Sequence, residues 1–520
     1  MKFQQLVLHL KNGIFRHRVP LISLLLIGFF GMRALLTNEL FTAHDIWHQV
    51  ARLYWYNESV SSGVFPPNWV ASLANGLGYP LFVFSYHTPW IVGLVFLKLG
   101  LSIPATINAL FVFSYVVSGL GMYWASVLIS KDRYIAFISA VLYLLGPWRF
   151  VTILVSAAMG RSFILLLLPF IVVSIYYISQ KKYQWGGVFF FALIMSAIIL
   201  SHLISAMTAL LIILPAIVYF KPKRRMIFWS MILTALLTAW YVLPIVSLSK
   251  QIQVSSEPFN MLYQNQFISV KQLLYSKWGY GIVNNSATEG AFSYQFGFAQ
   301  WVVVALTFFL ALQRKYRNSP EGRFASMLFS ALIFSLFLTT DLSKPLWDSL
   351  HTLTTFDYPT MFLMPALVLS SLLIPFVLKN VRASNLVGIA LLILAVLNTR
   401  NYMRVNQYFE RDVHEIVESE TTTNSFHEYL PKSANATVLG KPLSEVEGDG
   451  VRDIFVRKTV RFADYRFSVT APETVTLKTL YFPGLRVVVN NKIVTPSVSD
   501  DGRISLPLTE GFQQIMVTYE

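Results

Sequence analysis

Apolar residues arrive in runs of roughly 15 to 25 from Val19–Leu36 up to about Asn398, and then give way to sequence in which apolar and polar residues alternate. A run of that length is what an α-helix needs to cross a hydrocarbon core of about 30 Å at 1.5 Å per residue. The pattern predicts a polytopic α-helical membrane domain over residues 1–404, followed by a water-exposed β-rich domain over 405–520. Val405 to Glu420 places Phe409, Val413, Ile416 and Val417 at amphipathic spacing and predicts a linker helix. Beyond the polar connector Thr421 to Pro431, alternation predicts strands at Thr437–Leu439, Asp453–Lys458, Tyr465–Thr470, Thr474–Leu480, Arg486–Val489, Ile504–Leu506 and Gln514–Tyr519. The turn pairs Asn490-Asn491 and Asp501-Gly502 separate them, so a small antiparallel β-sandwich is expected.

Basic clusters orient the apolar runs. Lys131/Arg133, Lys181/Lys182, Lys221/Lys223/Arg224/Arg225, Arg314/Lys315/Arg317 and Lys379/Arg382 recur where every second helix would end. The positive-inside rule puts them in the cytoplasm. Lys2, Lys11, Arg16 and Arg18 precede the first run, which predicts a retained signal-anchor with a cytoplasmic N-terminus. The loops 38–80 and 249–299 and the C-terminal domain then lie outside, on a plasma (inner) membrane protein. Parity requires that Leu81 to Leu99, which holds Ser85, His87 and Pro89, stop short of a full crossing as an interfacial or re-entrant helix. Eleven spans are expected on that account, or twelve if Leu81 to Leu99 crosses.

Composition sharpens this picture. The chain of 520 residues is 55% hydrophobic and 13% charged, against about a quarter charged in soluble domains. Its net charge of +15 sits in the short interhelical clusters, which argues for topogenic charge and against nucleic acid. With no cysteine, disulfides, thiolate metal sites and cysteine nucleophiles are excluded together. Walker loops, dinucleotide glycine fingerprints, nucleophile elbows and zincin helices do not occur.

The densest polar sequence outside the runs is the first loop, where His44 and His48 stand at i and i+4 around Asp45. On a helix that spacing brings both rings and the carboxylate toward one point, as a general base or a metal site held at the membrane surface requires. Asp45 is the candidate base, or a ligand for a divalent metal such as Mg or Mn. An N-cap or solvated role is the plain alternative for Asp45, and headgroup hydrogen bonding the plain alternative for the histidines. Arg149 and Arg161, on the same expected face, suit a phosphate through the planar guanidinium fork; snorkelling at a helix end is their alternative role. Arg52, Tyr79 and His87 are further substrate-binding candidates. So is His202, an ionisable residue at a break between apolar runs, and Asp357 is similar.

The chain resembles the bacterial YfhO-like membrane proteins and their relatives called 6-pyruvoyl-tetrahydropterin synthase-related membrane proteins, which are similar to C-type (GT-C) glycosyltransferases. The residues that carry the resemblance are His44-Asp45 with His48, Pro67-x-Trp69, Asn75-Gly-x-Gly-Tyr-Pro80 with Phe82 and Pro89, Glu428-Tyr-Leu-Pro431 and Tyr481-Phe-Pro-Gly484. The resemblance implies a GT-C-like fold and transfer of a sugar, as by a hexosyltransferase, from a polyprenyl-phosphate donor to an envelope glycan or glycolipid acceptor at the membrane lipid surface. Asp45 occupies the place of the catalytic acidic residue. The sequence departs from the family at Ser156-Ala-Ala-Met-Gly-Arg161, where relatives have Arg-Gly-Ala-x-x-Glu, and at Pro359-Thr-Met-Phe362, where they have Pro-Trp-Arg-Phe. It also ends after a predicted strand without the closing helix of some relatives. A non-catalytic glycolipid or polymer transporter, or an assembly scaffold of the same fold, is the rival expectation. An ion-coupled transporter is disfavoured, because the apolar runs offer almost no midplane carboxylates.

Overall fold

The computed structural model of the chain describes residues 2–255, 262–281, 293–350, 358–419, 427–434 and 436–520. Asp357 lies outside them. The chain divides into two compact units: Met1–Ile46, Val95–Thr238 and Met261–Glu410 make a helical one, and Trp47–Leu94, Ala239–Asn260 and Arg411–Glu520 a β-rich one.

Among the described residues six helices are long and apolar enough to cross a membrane: Ile103–Ser130, Met159–Ser179, Leu203–Phe220, Arg224–Gln251, Pro320–Thr339 and Pro359–Asn380. The pair Arg133–Leu144 and Pro147–Val155, bent by 48°, makes a seventh if it is one span. His17–Gly31, Thr88–Lys98, Gln184–Ile199, Phe298–Leu312 and Ser384–Thr399 are shorter apolar helices. The protein is thus a multi-pass membrane protein. Where charge alternation predicts eleven or twelve crossings, several apolar runs fold as helices of 15 or 16 residues, which reach only about 24 Å. The segment expected to stop short of a crossing forms two short helices, Leu81–Phe84 and Thr88–Lys98.

In the helical unit, the Pro359–Asn380 span is buried along its whole apolar window. Small residues let its neighbours approach, as is usual where helices pack without a hydrophobic driving force. A Cβ on Gly146 would stand 2.4 Å from Leu367, and one on Gly119 2.8 Å from Leu144. Hydroxyls tie three helices in the apolar interior: Ser126 and Ser139 share a hydrogen bond of 2.7 Å, and Ser139 also donates to the Ser371 carbonyl. The unit also holds one short antiparallel pair, β1 (Leu40–Phe41) with β2 (Tyr408–Phe409).

The β-rich unit is a two-sheet sandwich. Its strands are β3 (Val446–Glu447), β4 (Val451–Lys458), β5 (Phe462–Val469), β6 (Glu473–Leu480), β7 (Leu485–Val489), β8 (Lys492–Val494), β9 (Ser497–Val498), β10 (Arg503–Leu508) and β11 (Gly511–Tyr519). One sheet runs β3-β6-β10-β9 and the other β4-β5-β11-β7-β8. Asn490 and Asn491, both at positive φ, form the two-residue turn between β7 and β8. Two local expectations fail. Residues 436–440 form a 3-10 helix instead of a strand. The linker helix shrinks to Val413–Glu418, because Tyr408–Phe409 is drawn into β2 and the Asp412 side chain caps the helix at His414 N.

The first loop also contributes to the sandwich. Trp69 and Ala71 belong to its buried core beside Tyr465, Phe467, Leu477 and Val517. The strained backbone that follows explains the glycines. Ala74, Asn75, Gly76 and Gly78 all have positive φ, and a Cβ on Gly78 would lie 2.3 Å from the Trp69 ring. Asn75 donates to the Leu439 carbonyl, the Leu480 N–H to the Leu77 carbonyl, and Lys458 Nζ to the Gly76 carbonyl at 2.6 Å.

Candidate functional site

The helical unit gathers Asp45, Arg161 and His202 around one irregular segment. Val151–Val155 is a π-helical turn: Ser156 N bonds back to Val151 O and Ala158 N to Thr152 O. Widening the turn frees carbonyls from the regular ladder. Two of them take the first loop, as His44 N donates to Val155 O at 3.0 Å and Asp45 N to Ser156 O at 3.1 Å. On the other side β1 and β2 pair and Thr42 N donates to Gln407 O. The backbone of His44-Asp45 is therefore held from both flanks. Among the described residues no hydrogen bond or ion pair engages the Asp45 carboxylate, which stands just before the helix Ile46–Ser61, where the helix dipole favours negative charge. His44 Nε2 donates to the Gly281 carbonyl at 2.9 Å.

The same segment turns at Ala157, φ +49°, into the helix Met159–Ser179. Ala158 has no side chain with which to cap it, so the first-turn N–H groups lack the usual side-chain acceptor. Arg161 lies in that first turn, half-buried, with its guanidinium 5.0 Å from the centre of the Tyr358 ring. One residue earlier, a Cβ on Gly160 would fall 2.3 Å from Ser201 O, so glycine is what lets the Ser201–His202 break approach. His202 caps the Leu203–Phe220 span, its Nδ1 accepting from Ser205 N at 3.3 Å. Met361 is buried, and its sulfur accepts from Ser205 Oγ.

Arg149 is placed differently from the expectation of an exposed phosphate ligand. It is fully buried in the bend Pro147–Phe150, its guanidinium 5.1 Å from both the Tyr115 and Tyr143 rings. Nη2 donates to Ser118 Oγ at 2.7 Å, while Nε and Nη1 have no acceptor among the described residues.

The remaining candidates belong to the β-rich unit, and most are engaged by protein. His48 sits in the first turn of Ile46–Ser61. Arg52 lies 5.6 Å from the centre of the Tyr86 ring, and Tyr86 donates to Gln49 Oε1. The buried Tyr79 hydroxyl accepts from Tyr429 N at 3.1 Å, and the two rings stack. Burial, then the Glu428 carboxylate, hold that phenol well above its usual range. His87 is fully buried with both ring nitrogens occupied, by Tyr56 Oη at 3.2 Å and Phe82 O at 3.0 Å. The Glu428-Tyr-Leu-Pro431 string bonds along the backbone of Gln253 and Val254.

Among the described residues no three His, Asp or Glu side chains converge as a metal site. Asp45, His44 and His48 are not brought together as a three-ligand cluster in this structure. Sequence pattern missed Tyr358, the Gly281 carbonyl and the tyrosine pair around Arg149. Only Gly160, beside Arg161, carried a signal, as a small residue before a helix's first charge.

No protein-family model matches this sequence, and no curated protein matches it. Among solved structures, the cryo-EM structure of the arabinofuranosyltransferase AftD from Mycobacteria is similar over 77% of this chain at 14% identity and TM-score 0.47. The apo crystal structure of the Archaeoglobus fulgidus oligosaccharyltransferase is similar over 80% at 11% identity and TM-score 0.41. The chain spans 28% of the first protein's length and 57% of the second's. At these TM-scores neither likeness bears on what this chain does.

Proposed function

We propose that the chain is a membrane glycosyltransferase of the C-type, moving a sugar from a polyprenyl-phosphate donor to an envelope acceptor on the extracytoplasmic face of the inner membrane, with the N-terminus in the cytoplasm and the β-sandwich outside. The observation that carries this reading is the placement of Asp45: its carboxylate is unpaired while its backbone is pinned to the segment that delivers Arg161. In the proposed reaction Asp45 takes the proton of an acceptor hydroxyl, and the oxygen bonds to the anomeric carbon as the carbon–oxygen bond to phosphate breaks. The departing phosphate keeps the bonding pair; Arg161 and the uncapped start of Met159–Ser179 stabilise its charge. In this reading His44 and His48, its neighbours in the chain, assist the carboxylate.

Turnover of a panel of polyprenyl-phosphate sugars by the purified protein in nanodiscs tests this, with and without divalent metal. Asp45→Asn is expected to lower transfer by about 100-fold or more while donor binding persists. Equal turnover in the variant sinks the assignment.

One pair of observations favours the rival, a non-catalytic transporter or scaffold for lipid-linked sugar. Arg161 stands where relatives have glutamate, and His44 Nε2 is already bonded to a carbonyl. That reading requires donor binding without turnover in both proteins.

A further inference from the structure

The β-rich unit has a cleft of its own, about 400 Å³, between the 63–68 segment, the Trp240–Pro244 stretch of its helix and the end of β11. That volume is within the range of small-molecule sites. No charged side chain lines it, in a chain whose net charge is +15. Its walls are rings: Phe65 is 64% exposed and Trp240 41%, and Pro67, Tyr241 and Tyr519 complete them. Polar groups interrupt the rings. Asn68 Oδ1 accepts from the Trp69 N–H at 2.7 Å, and its amide nitrogen has no acceptor among the described residues. Tyr241 is buried, its hydroxyl donating to Phe84 O at 3.3 Å, and it contributes to the wall. Trp240 lies about 24 Å along its helix from Arg224, near the far edge of a hydrocarbon core of about 30 Å, the level at which tryptophan and tyrosine gather.

These features select a ligand by chemistry. A phosphate or ammonium headgroup would find no counter-charge. A bare alkyl chain would cover the Asn68 amide and leave its N–H groups unpaired, which costs about 1–3 kcal/mol for such a group. A sugar ring offers what the walls ask for: a face of C–H groups to lie on an aromatic ring, and a rim of hydroxyls for the amide.

We infer that this cleft binds a neutral carbohydrate at the membrane surface, through stacking on Phe65 and Trp240 and hydrogen bonds to Asn68. The inference goes beyond the transfer reading and does not depend on it, because Asp45 lines no part of the cleft.

The test uses the full chain in lipid nanodiscs, free of alkyl-glycoside detergent. Maltohexaose, cellohexaose and chitohexaose are titrated by saturation-transfer NMR and tryptophan fluorescence. At least one is expected to bind saturably, about tenfold more weakly to Phe65→Ala and to Asn68→Asp, with melting unchanged, because Phe65 is exposed and Asp keeps the oxygen that accepts from Trp69 N–H while losing the amide donor. Asp45→Asn should bind like wild type even if it abolishes transfer, so the two proposals fail separately. The inference is overturned if no neutral oligosaccharide binds, if binding is the same in both cleft variants, or if an added prenyl phosphate alone occupies the cleft.

Discussion

In the helical unit Asp45 and Arg149 keep polar side-chain atoms without partners among the described residues, whereas in the β-rich unit Tyr79 and His87 have committed theirs. Asp45 is bonded through its N–H to Ser156 O while its carboxylate stays open, and buried Arg149 keeps two nitrogens without acceptors. Tyr79 and His87 have instead given their polar atoms to Tyr429, Tyr56 and Phe82. A polar atom already paired in a dry interior is expensive to withdraw, so it serves packing better than ligand binding. The difference teaches that Asp45 and Tyr79, both drawn from the polar first loop, divide between chemistry and architecture, and that backbone capture with an open side chain separates the two.

The comparison breaks first, and most visibly, on a pair of substitutions. Asp45→Asn should cost about 10²- to 10⁴-fold in transfer rate, the span of general-base catalysis, with an unchanged melting temperature. His87→Phe should do the opposite, lowering stability by about 1–3 kcal/mol through the unpaired Phe82 carbonyl and Tyr56 hydroxyl. Turnover per folded molecule should stay at the wild-type level. If both variants lose activity in proportion to stability, the division is wrong.

Next in size is Gly78→Ala. The new methyl would overlap the Trp69 ring on a backbone at φ +82°. Strain of this kind adds overpacking to left-handed geometry, about 3 kcal/mol or more together, read by chemical denaturation of the full chain in nanodiscs. A variant as stable as wild type would mean that the first loop does not hold the sandwich core together.

Arg161→Gln sharpens the helical side. Removing the charge from the first turn of Met159–Ser179 should weaken donor binding about 10- to 100-fold, with Arg161→Lys intermediate because a point charge replaces a planar fork. Uniform loss with both substitutions would point instead to the stacking on Tyr358.

How legible this was in the sequence depended on the range of the interaction. Apolar runs and two-residue alternation mark the long helices and β4, β5, β6 and β11, because both periods are local. The pair Asn490-Asn491 marks a turn for the same reason. What stayed hidden rests on partners hundreds of residues away: Trp69 in the core with Tyr465, Tyr408–Phe409 paired with Leu40–Phe41, Tyr358 beneath Arg161. Asp45 could be singled out by residue type and loop position. That Ser156 O would hold it could not, since the π-turn that frees the carbonyl has no periodic signature.

The smallest expected effect lies in the β-rich unit and follows from Lys458. Its ammonium is nearly buried, 2.6 Å from both the Gly76 carbonyl and the Glu445 carboxylate. Burial, only partly opposed by Glu445, pushes it from 10.5 down to about 8. The unfolded chain therefore binds the extra proton across the window from pH 8 to 10.5, so stability must rise with pH through that window; below pH 8 the desolvated charge opposes folding in full. Lys458→Met should remove this slope, separating the two melting curves by on the order of a few degrees between pH 8 and 10.5. Parallel curves would mean that Gly76, Lys478 and Glu445 satisfy the ammonium completely, and that the strut between the first loop and the sandwich carries its charge without cost.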